Sequence, residues 1–249
     1  MRCILGKRHI LAMMSGATMI AAPALAQVSP TLGVEATTDE RRRGLSWSEG
    51  QASASGDVLL PVGPVDASAR IAATRGSGRH GGADAVIDLG AGTGWDVGAI
   101  RLRATVTGHL FTGARGRIDY VEAGGTASYG IGPLRVTGGA MLAPSQDAIG
   151  GSNLHLFADA DAGIPGTPVT LVAGIGHSSG GVDDPVRAQR LRPGGDYTNW
   201  RLGIEHRQGQ LTLALDYTGT DIGRDDAFGP FADARHAGDR ILGRVRFGL

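Results

Sequence analysis

The sequence has one cysteine, Cys3, and one lysine, Lys7. Both lie within the first eight residues. With no other cysteine, the chain can build no disulfide framework, no cysteine-ligated zinc site and no cysteine nucleophile. Neither charge is in excess, since 24 basic side chains face 24 acidic ones. That excludes the basic footprint of a nucleic-acid binder. After residue 26 no segment approaches the ~18 consecutive apolar residues of a spanning helix. Aromatic residues make up only 5% of the chain.

What is present begins with an export signal. Arg2, Lys7 and Arg8 form a positive start, Ile10 to Ala22 an apolar run, and Ala24-Leu25-Ala26 a small-x-small cleavage site. This is the layout of a cleaved secretory signal, and the run is too short to span a bilayer. The expected division is a signal peptide over 1–26 and one domain over 27–249. Cys3 lies far from the cleavage site and is not a lipoprotein cysteine. Without Arg2, Lys7 and Arg8 the exported chain is slightly acidic. Glycine is the abundant residue, 42 of 249, more than twice the average usage of roughly 7%. Each glycine inside a helix costs ~1 kcal/mol, so a helical fold is disfavoured. Two classes remain, a disordered secreted chain and a closed outer-membrane β-barrel.

Periodicity separates them, because disordered chains do not alternate. From Ile100 to Leu110 one face reads Ile, Leu, Ala, Val, Gly, Leu and the other Arg, Arg, Thr, Thr, His. Leu211, Leu213, Leu215 and Tyr217 alternate with Thr212, Ala214, Asp216 and Thr218. The C-terminal Ile241, Gly243, Val245, Phe247 and Leu249 alternate with Leu242, Arg244, Arg246 and Gly248. A strand sends successive side chains to opposite faces. Twelve strands are predicted, near 31–38, 51–60, 65–75, 83–92, 97–112, 117–129, 133–144, 152–163, 168–178, 196–208, 210–220 and 239–249. Connectors after even strands are short: Pro61 to Pro64, Thr93 to Asp96, Gly130 to Gly132, Ile164 to Thr167, and Gly209. After odd strands they are mostly longer and more polar, Gly113 to Gly116 being the exception. An even strand count with short periplasmic turns and long external loops is the pattern of an antiparallel up-and-down transmembrane barrel, both termini periplasmic.

A soluble sandwich would bury its aromatics in mid-strand. Here Phe111, Tyr120, Tyr197, Trp200 and Tyr217 are expected near the external rim, and Trp95, Tyr129 and Phe247 near the periplasmic one. Trp47, Phe228 and Phe231 fall in loops, leaving Phe157 alone in mid-strand. Two aromatic girdles are a barrel feature. The C-terminal run is similar to the insertion signal of outer-membrane proteins, which the barrel-assembly machinery reads, although Leu249 follows Phe247.

The segment Thr38 to Gly50 contains Arg43-Gly44-Leu45-Ser46 and Ser48, followed by a glycine- and alanine-rich strand. It resembles the start of the TorF-type porins, which carry Arg-Gly-hydrophobic-Ser-x-Ser/Thr just after their first strand. The family's aromatic before the arginine is replaced here by Glu40 and Arg41. The resemblance covers about twenty residues and implies an outer-membrane barrel and a pore, with no defined solute.

The inward face is expected to carry Arg70, Asp84, Asp88, Arg101, Arg103, Arg135, Asp159, Asp161, Arg201, Glu205, Asp216, Arg244 and Arg246. Arg101 and Arg103 are expected to face the strand that holds Asp84 and Asp88. Such a face reads either as a charged constriction that filters solutes or as a salt-bridge ladder that fills a narrow lumen. The Arg41-Arg42-Arg43 run could line an external mouth, fold inward as an anion-attracting constriction, contact lipopolysaccharide phosphates, or stay a solvated loop. Some barrels are lipid hydrolases, and His177 and Ser179 have a base–nucleophile spacing at a strand end, yet no Asn or Asp of outward parity on the tenth strand orients the histidine, and only Asp183 or Asp184, folding back from the loop, could do so. Gly90-Ala91-Gly92-Thr93-Gly94 is not followed by a helix, so it lacks the context of a phosphate loop. No histidines have metal-ligand spacing. The reading is a porin for small polar or charged solutes, without enzymatic activity, metal or cofactor; the alternative is a non-conducting structural or surface-interaction barrel, and the third a lipid hydrolase using His177 and Ser179. Its partners would be outer-membrane lipids and lipopolysaccharide.

Overall fold

A computed structural model describes residues 29–249, and the expected signal lies outside them. Twelve antiparallel strands close into one barrel. In chain order they begin with β1 (Thr31–Thr37). A small hairpin of β2 (Arg41–Arg42) and β3 (Leu45–Ser46) follows, forming a separate two-stranded sheet. The wall continues with β4 (Ser53–Val62), β5 (Val65–Ser77), β6 (Ala83–Val97), β7 (Ile100–Thr112), β8 (Tyr120–Ile131) and β9 (Leu134–Gln146). Then come β10 (Gly151–Gly163), β11 (Val169–Ser179), β12 (Tyr197–Gln208), β13 (Leu211–Thr220) and β14 (Arg240–Gly248). β1 closes the ring between β14 and β4, with Glu35 opposite Arg246 on one side and Ser55 on the other. Closure leaves no unpaired strand edge.

Four of the five connections at one end are two-residue turns, each with glycine first at positive φ: Gly63, Gly98, Gly132 and Gly209, at 57–63°. A side chain there would be strained. The opposite end carries the long connections, among them 180–196 with the short helix α1 (Pro185–Ala188), capped by Asp184. The chain thus has a short-turn end and a loop end.

The largest boundary difference from the sequence reading is at the end of β6. Thr93 to Asp96 is strand, not turn, and β6 runs on to Val97 opposite Ile100. The glycines in this stretch make room rather than bends. A Cβ on Gly92 would lie 2.7 Å from Arg103 Nη2, and one on Gly94 2.9 Å from Arg101 Nη2. The two guanidinium groups lie flat over the wall where those side chains would stand.

Alternation sets the faces. Leu202, Leu215 and Ile241 point outward and are 58%, 54% and 66% exposed. Trp95, Tyr129 and Phe247 lie on the outer face near the short turns, and Trp200 and Tyr217 share outward parity near the loop end. Three expected rim aromatics turn the other way. Phe111 and Tyr120 pack inside with Trp47, and Tyr197 is buried against Leu45 and Ala237. Their parity is that of His109, Glu122 and Arg201, the lumen side, so their position along the strand did not decide their face.

Candidate functional site

The lumen is occupied at its loop end by the segment after β1. Arg42 and Leu45 close the β2–β3 hairpin around a two-residue turn, Arg43–Gly44. Both turn residues have positive φ, 52° and 77°, the backbone of a type I′ turn. Arginine rarely adopts it, and the cost is ~1–2 kcal/mol. The contacts of the tip offset this strain. Tyr197 donates its hydroxyl to the Arg43 carbonyl at 3.0 Å. A Cβ on Gly44 would come within 2.9 Å of Asn199 Cβ and the Gly219 carbonyl, so only glycine fits against this wall.

The arginine run therefore folds inward. Arg42 grips both oxygens of Asp88 at 3.1 and 2.7 Å and also reaches Glu40. Arg43 donates to both oxygens of Glu122 at 2.8 and 2.7 Å. His109 lies between these carboxylates, 2.7 Å from Asp88 Oδ1 and 3.3 Å from Glu122 Oε1. Arg70 clamps both oxygens of Glu40 at 2.9 Å. Burial alone would raise the Glu40 carboxyl; the Arg70 hydrogen bond and the Arg42 charge outweigh it and leave it below the ordinary range. Burial would likewise favour loss of the Arg42 proton, but Asp88 and Glu40 hold the group above its usual value. Arg42, Arg43 and Arg70 are each neutralised by these carboxylates and offer no free anion constriction.

Above this layer the loops are tied together. Trp47 packs 4.3 Å from His80 and 5.8 Å from Phe111, with the Arg42 guanidinium 4.1 Å over its ring. Arg79 is fully buried and donates to the carbonyls of Ser46, Arg190, Ala232 and Asp233, so one side chain joins the hairpin to two long loops. Arg190 sits 4.4 Å over Phe111 and donates to the Ile118 and Ala148 carbonyls. Neither has a carboxylate partner among the described residues, and burial draws both down to about 10. His80, buried beside Arg190 and Arg79, is held well below the usual histidine value, by burial first and then by those charges.

Beneath the hairpin the lumen opens into a cavity of about 410 Å³. Its wall carries Arg70, Asp159, Arg201, Asp216 and Arg244. Arg244 joins Asp216, Glu205 and Glu35 at 2.7, 2.9 and 3.4 Å, and Arg201 meets Asp216 at 2.7 Å. Asp159 forms no ion pair among the described residues. Farther toward the short turns, Arg246 pairs with Asp57, Arg103 with Asp66, Arg135 with Asp161 and Arg101 with Asp96. Arg101 and Arg103 do lie beside β6, the strand that holds Asp84 and Asp88, but their ion partners are Asp96 and Asp66. The register sets Asp88 opposite His109 near the loop end, whereas Arg101 and Arg103 lie near the short turns. Asp84 stands exposed at the loop-end rim beside Gly113.

The sequence reading missed Glu40, Asp57, Asp66, His109 and Glu122. His109 and Glu122 have inward parity at loop-end strand positions, which was the available signal. His177 is exposed on the outer face, its Nδ1 3.2 Å from Thr198 Oγ1. The Ser–His hydrogen bond in this region joins Ser178 and His155 at 2.9 Å, on the lumen side. Among the described residues no group of His, Cys, Asp and Glu could hold a metal.

Known structures agree with this architecture. A KdgM porin superposes with a TM-score of 0.56 at 4% identity, covering 87% of this chain and 98% of its own. An outer membrane channel from Pseudomonas putida F1 gives 0.55 at 14%, covering 95% and 99%. At such identity the likeness is one of fold. No curated protein matches the sequence. A family model described as a bacterial protein of unknown function, Gcw_chp, matches residues 22–240.

Proposed function

We propose that this chain, which belongs to the Gcw_chp family of bacterial proteins of unknown function, is an outer-membrane channel of the porin kind with a hinged internal hairpin. Small polar or charged solutes would pass by diffusion when the hairpin yields. The observation that carries this reading is the attachment of the hairpin. β2 and β3 pair only with each other and add no strand to the wall. The wall holds them mainly through side chains, the Arg42–Asp88 and Arg43–Glu122 pairs above all. Such a plug can leave without breaking the barrel ladder, and the cavity beneath it is already open. The TorF-type resemblance of residues 38–50 and the porin-like neighbours support the same reading. The reading includes no hydrolysis, since His177 meets Thr198 and not Ser179.

A second reading is a non-conducting structural barrel. The buried cluster of Trp47, Tyr120, Ile149 and Leu191 favours it, because it fills the loop end as a protein core would. Planar-bilayer recordings decide between them. The porin reading expects small or infrequent steps from refolded protein and larger, frequent steps once Arg42 and Arg43 are both replaced by alanine. Silence from folded R42A/R43A barrels would overturn it in favour of the structural barrel.

A further inference from the structure

The loop between β13 and β14 carries cations for which the plug and the lumen have no use. Arg224 and Arg235 are exposed and make no hydrogen bond or ion pair among the described residues. They border a cavity of about 370 Å³ together with Arg41, His236, Asp239 and Arg240. Four guanidinium groups thus surround one space, and Asp239 is the single carboxylate in its lining. The Oδ1 of that carboxylate lies against Gly219 on the wall. Asp225 and Asp226 belong to the same loop but do not line the cavity.

Arg41 shows that the space has a built inner side and is more than a set of solvated loop cations. Its side chain is only 4% exposed, and three backbone carbonyls, of Gly44, His236 and Gly238, fix its Nε and Nη2. Its Nη1 is buried without a partner. The nearest carboxylate oxygen, Asp39 Oδ2, is 3.9 Å away, beyond hydrogen-bond reach, and Arg240 Nη1 stands at the same distance from it. Asp39 spends its other oxygen on Ser46 and Ser48, at 2.6 and 3.0 Å. A buried guanidinium with one unused fork is a strong donor awaiting an acceptor.

We propose that this cavity is an anion site for a phosphate-class group, held by the buried Arg41 from below, by Arg224 and Arg235 from the loop and by Arg240 at the start of β14. Guanidinium forks match tetrahedral oxyanions bidentately, which selects phosphate over chloride. The group can be a soluble phosphate or the phosphate of a lipid headgroup; the site chemistry is the same. The site is independent of whether the barrel conducts.

The test uses residues 27–249, refolded in zwitterionic detergent and in phosphatidylcholine vesicles with or without lipid A. Inorganic phosphate is titrated by calorimetry against chloride at matched ionic strength, and trypsin cleavage after Arg224 and Arg235 is followed in parallel. Saturable phosphate binding that chloride does not mimic, with slowed cleavage at both arginines, is the expected result. R224Q/R235Q should weaken it at least tenfold, and R224K/R235K should fall between. Protection by free phosphate alone assigns a soluble anion, and protection by lipid A alone a headgroup. No protection by either, or binding unchanged in a folded R224Q/R235Q barrel, overturns the site.

Discussion

Arg42 and Asp88 meet side by side inside the barrel, two guanidinium nitrogens on two carboxylate oxygens at 3.1 and 2.7 Å, although 46 residues separate them in the chain. The pair fastens the hairpin to the barrel wall. Both side chains are mostly buried, at 20% and 13% exposure.

Breaking this pair from either side leaves a buried charge without its partner. R42A should destabilise the folded barrel by about 3 kcal/mol, and D88A by a similar amount, because removing one member of a buried pair exposes the cost of the other. D88A also strips His109 of its 2.7 Å partner. The double variant R42A/D88A should cost clearly less than the two singles together. Denaturant unfolding in detergent, followed by tryptophan fluorescence from Trp47, checks the cycle; strict additivity would mean that the pair does not hold the plug.

The plug should loosen on acidification, in two separate windows. Unfolded His80 takes a proton near the ordinary value of 6.5, whereas the folded group resists it to well below that. The unfolded state therefore binds more protons as pH drops through 6.5, and stability falls with it. Glu40 acts lower. Its folded value lies below the ordinary 4.5, so its contribution is present above 4.5 and is lost as pH falls through the folded value. Asp39 opposes both, since burial raises it above 3.8, and its contribution is full below 3.8 and lost as pH rises. Hydrogen exchange of residues 39–52 between pH 7 and pH 5 should show growing openness. H80Q should flatten that slope, and an unchanged slope in H80Q would assign it elsewhere.

How much of this could be read from the chain follows from the range of each interaction. Wall strands announce themselves through alternation between nearest neighbours, as from Ile100 to Leu110, and turns such as Gly132–Pro133 through one glycine. The plug has no such local mark. Arg41-Arg42-Arg43 between two strands looks like any solvated loop, because Asp88 and Glu122, which draw it inward, are distant in sequence. The same limit hid Asp66 as the partner of Arg103, since β5 and β7 both flank β6 and their side chains meet across it. Parity, followed strictly, did hold the inward placement of Phe111, Tyr120 and Tyr197. Their position near strand ends suggested a girdle instead.

Lumen glycines should be intolerant where a ring lies on them. A Cβ on Gly139 would stand 2.5 Å from Phe157 Cζ and 2.9 Å from Thr126 Cγ2. G139A should therefore cost about 1–3 kcal/mol by overpacking. F157L, which clears the ring, should return most of that in the double variant G139A/F157L. Thermal unfolding of the three proteins reads the effect. An equal loss in the single and double variants would show that the ring is not what excludes the methyl.

The paired charges near the short turns make a separate prediction about selectivity. Arg246 holds both oxygens of Asp57 at 2.6 and 2.9 Å, and the pair is partly open to the lumen. As it stands it is locally neutral, and a passing ion meets no net charge there. D57N keeps the size of the side chain and a hydrogen-bond acceptor but removes one negative charge, so Arg246 then contributes an uncompensated positive field in a low-dielectric channel. R246Q does the reverse and exposes the Asp57 carboxylate. In an R42A/R43A background with its plug released, reversal potentials in a salt gradient should shift toward anion preference for D57N and toward cation preference for R246Q. The two shifts should be opposite in sign and should shrink as salt screens the wall, since the Debye length falls from about 10 Å at 0.1 M to about 3 Å at 1 M. Shifts of the same sign, or none at low salt in a conducting barrel, would mean that ions do not pass beside this pair.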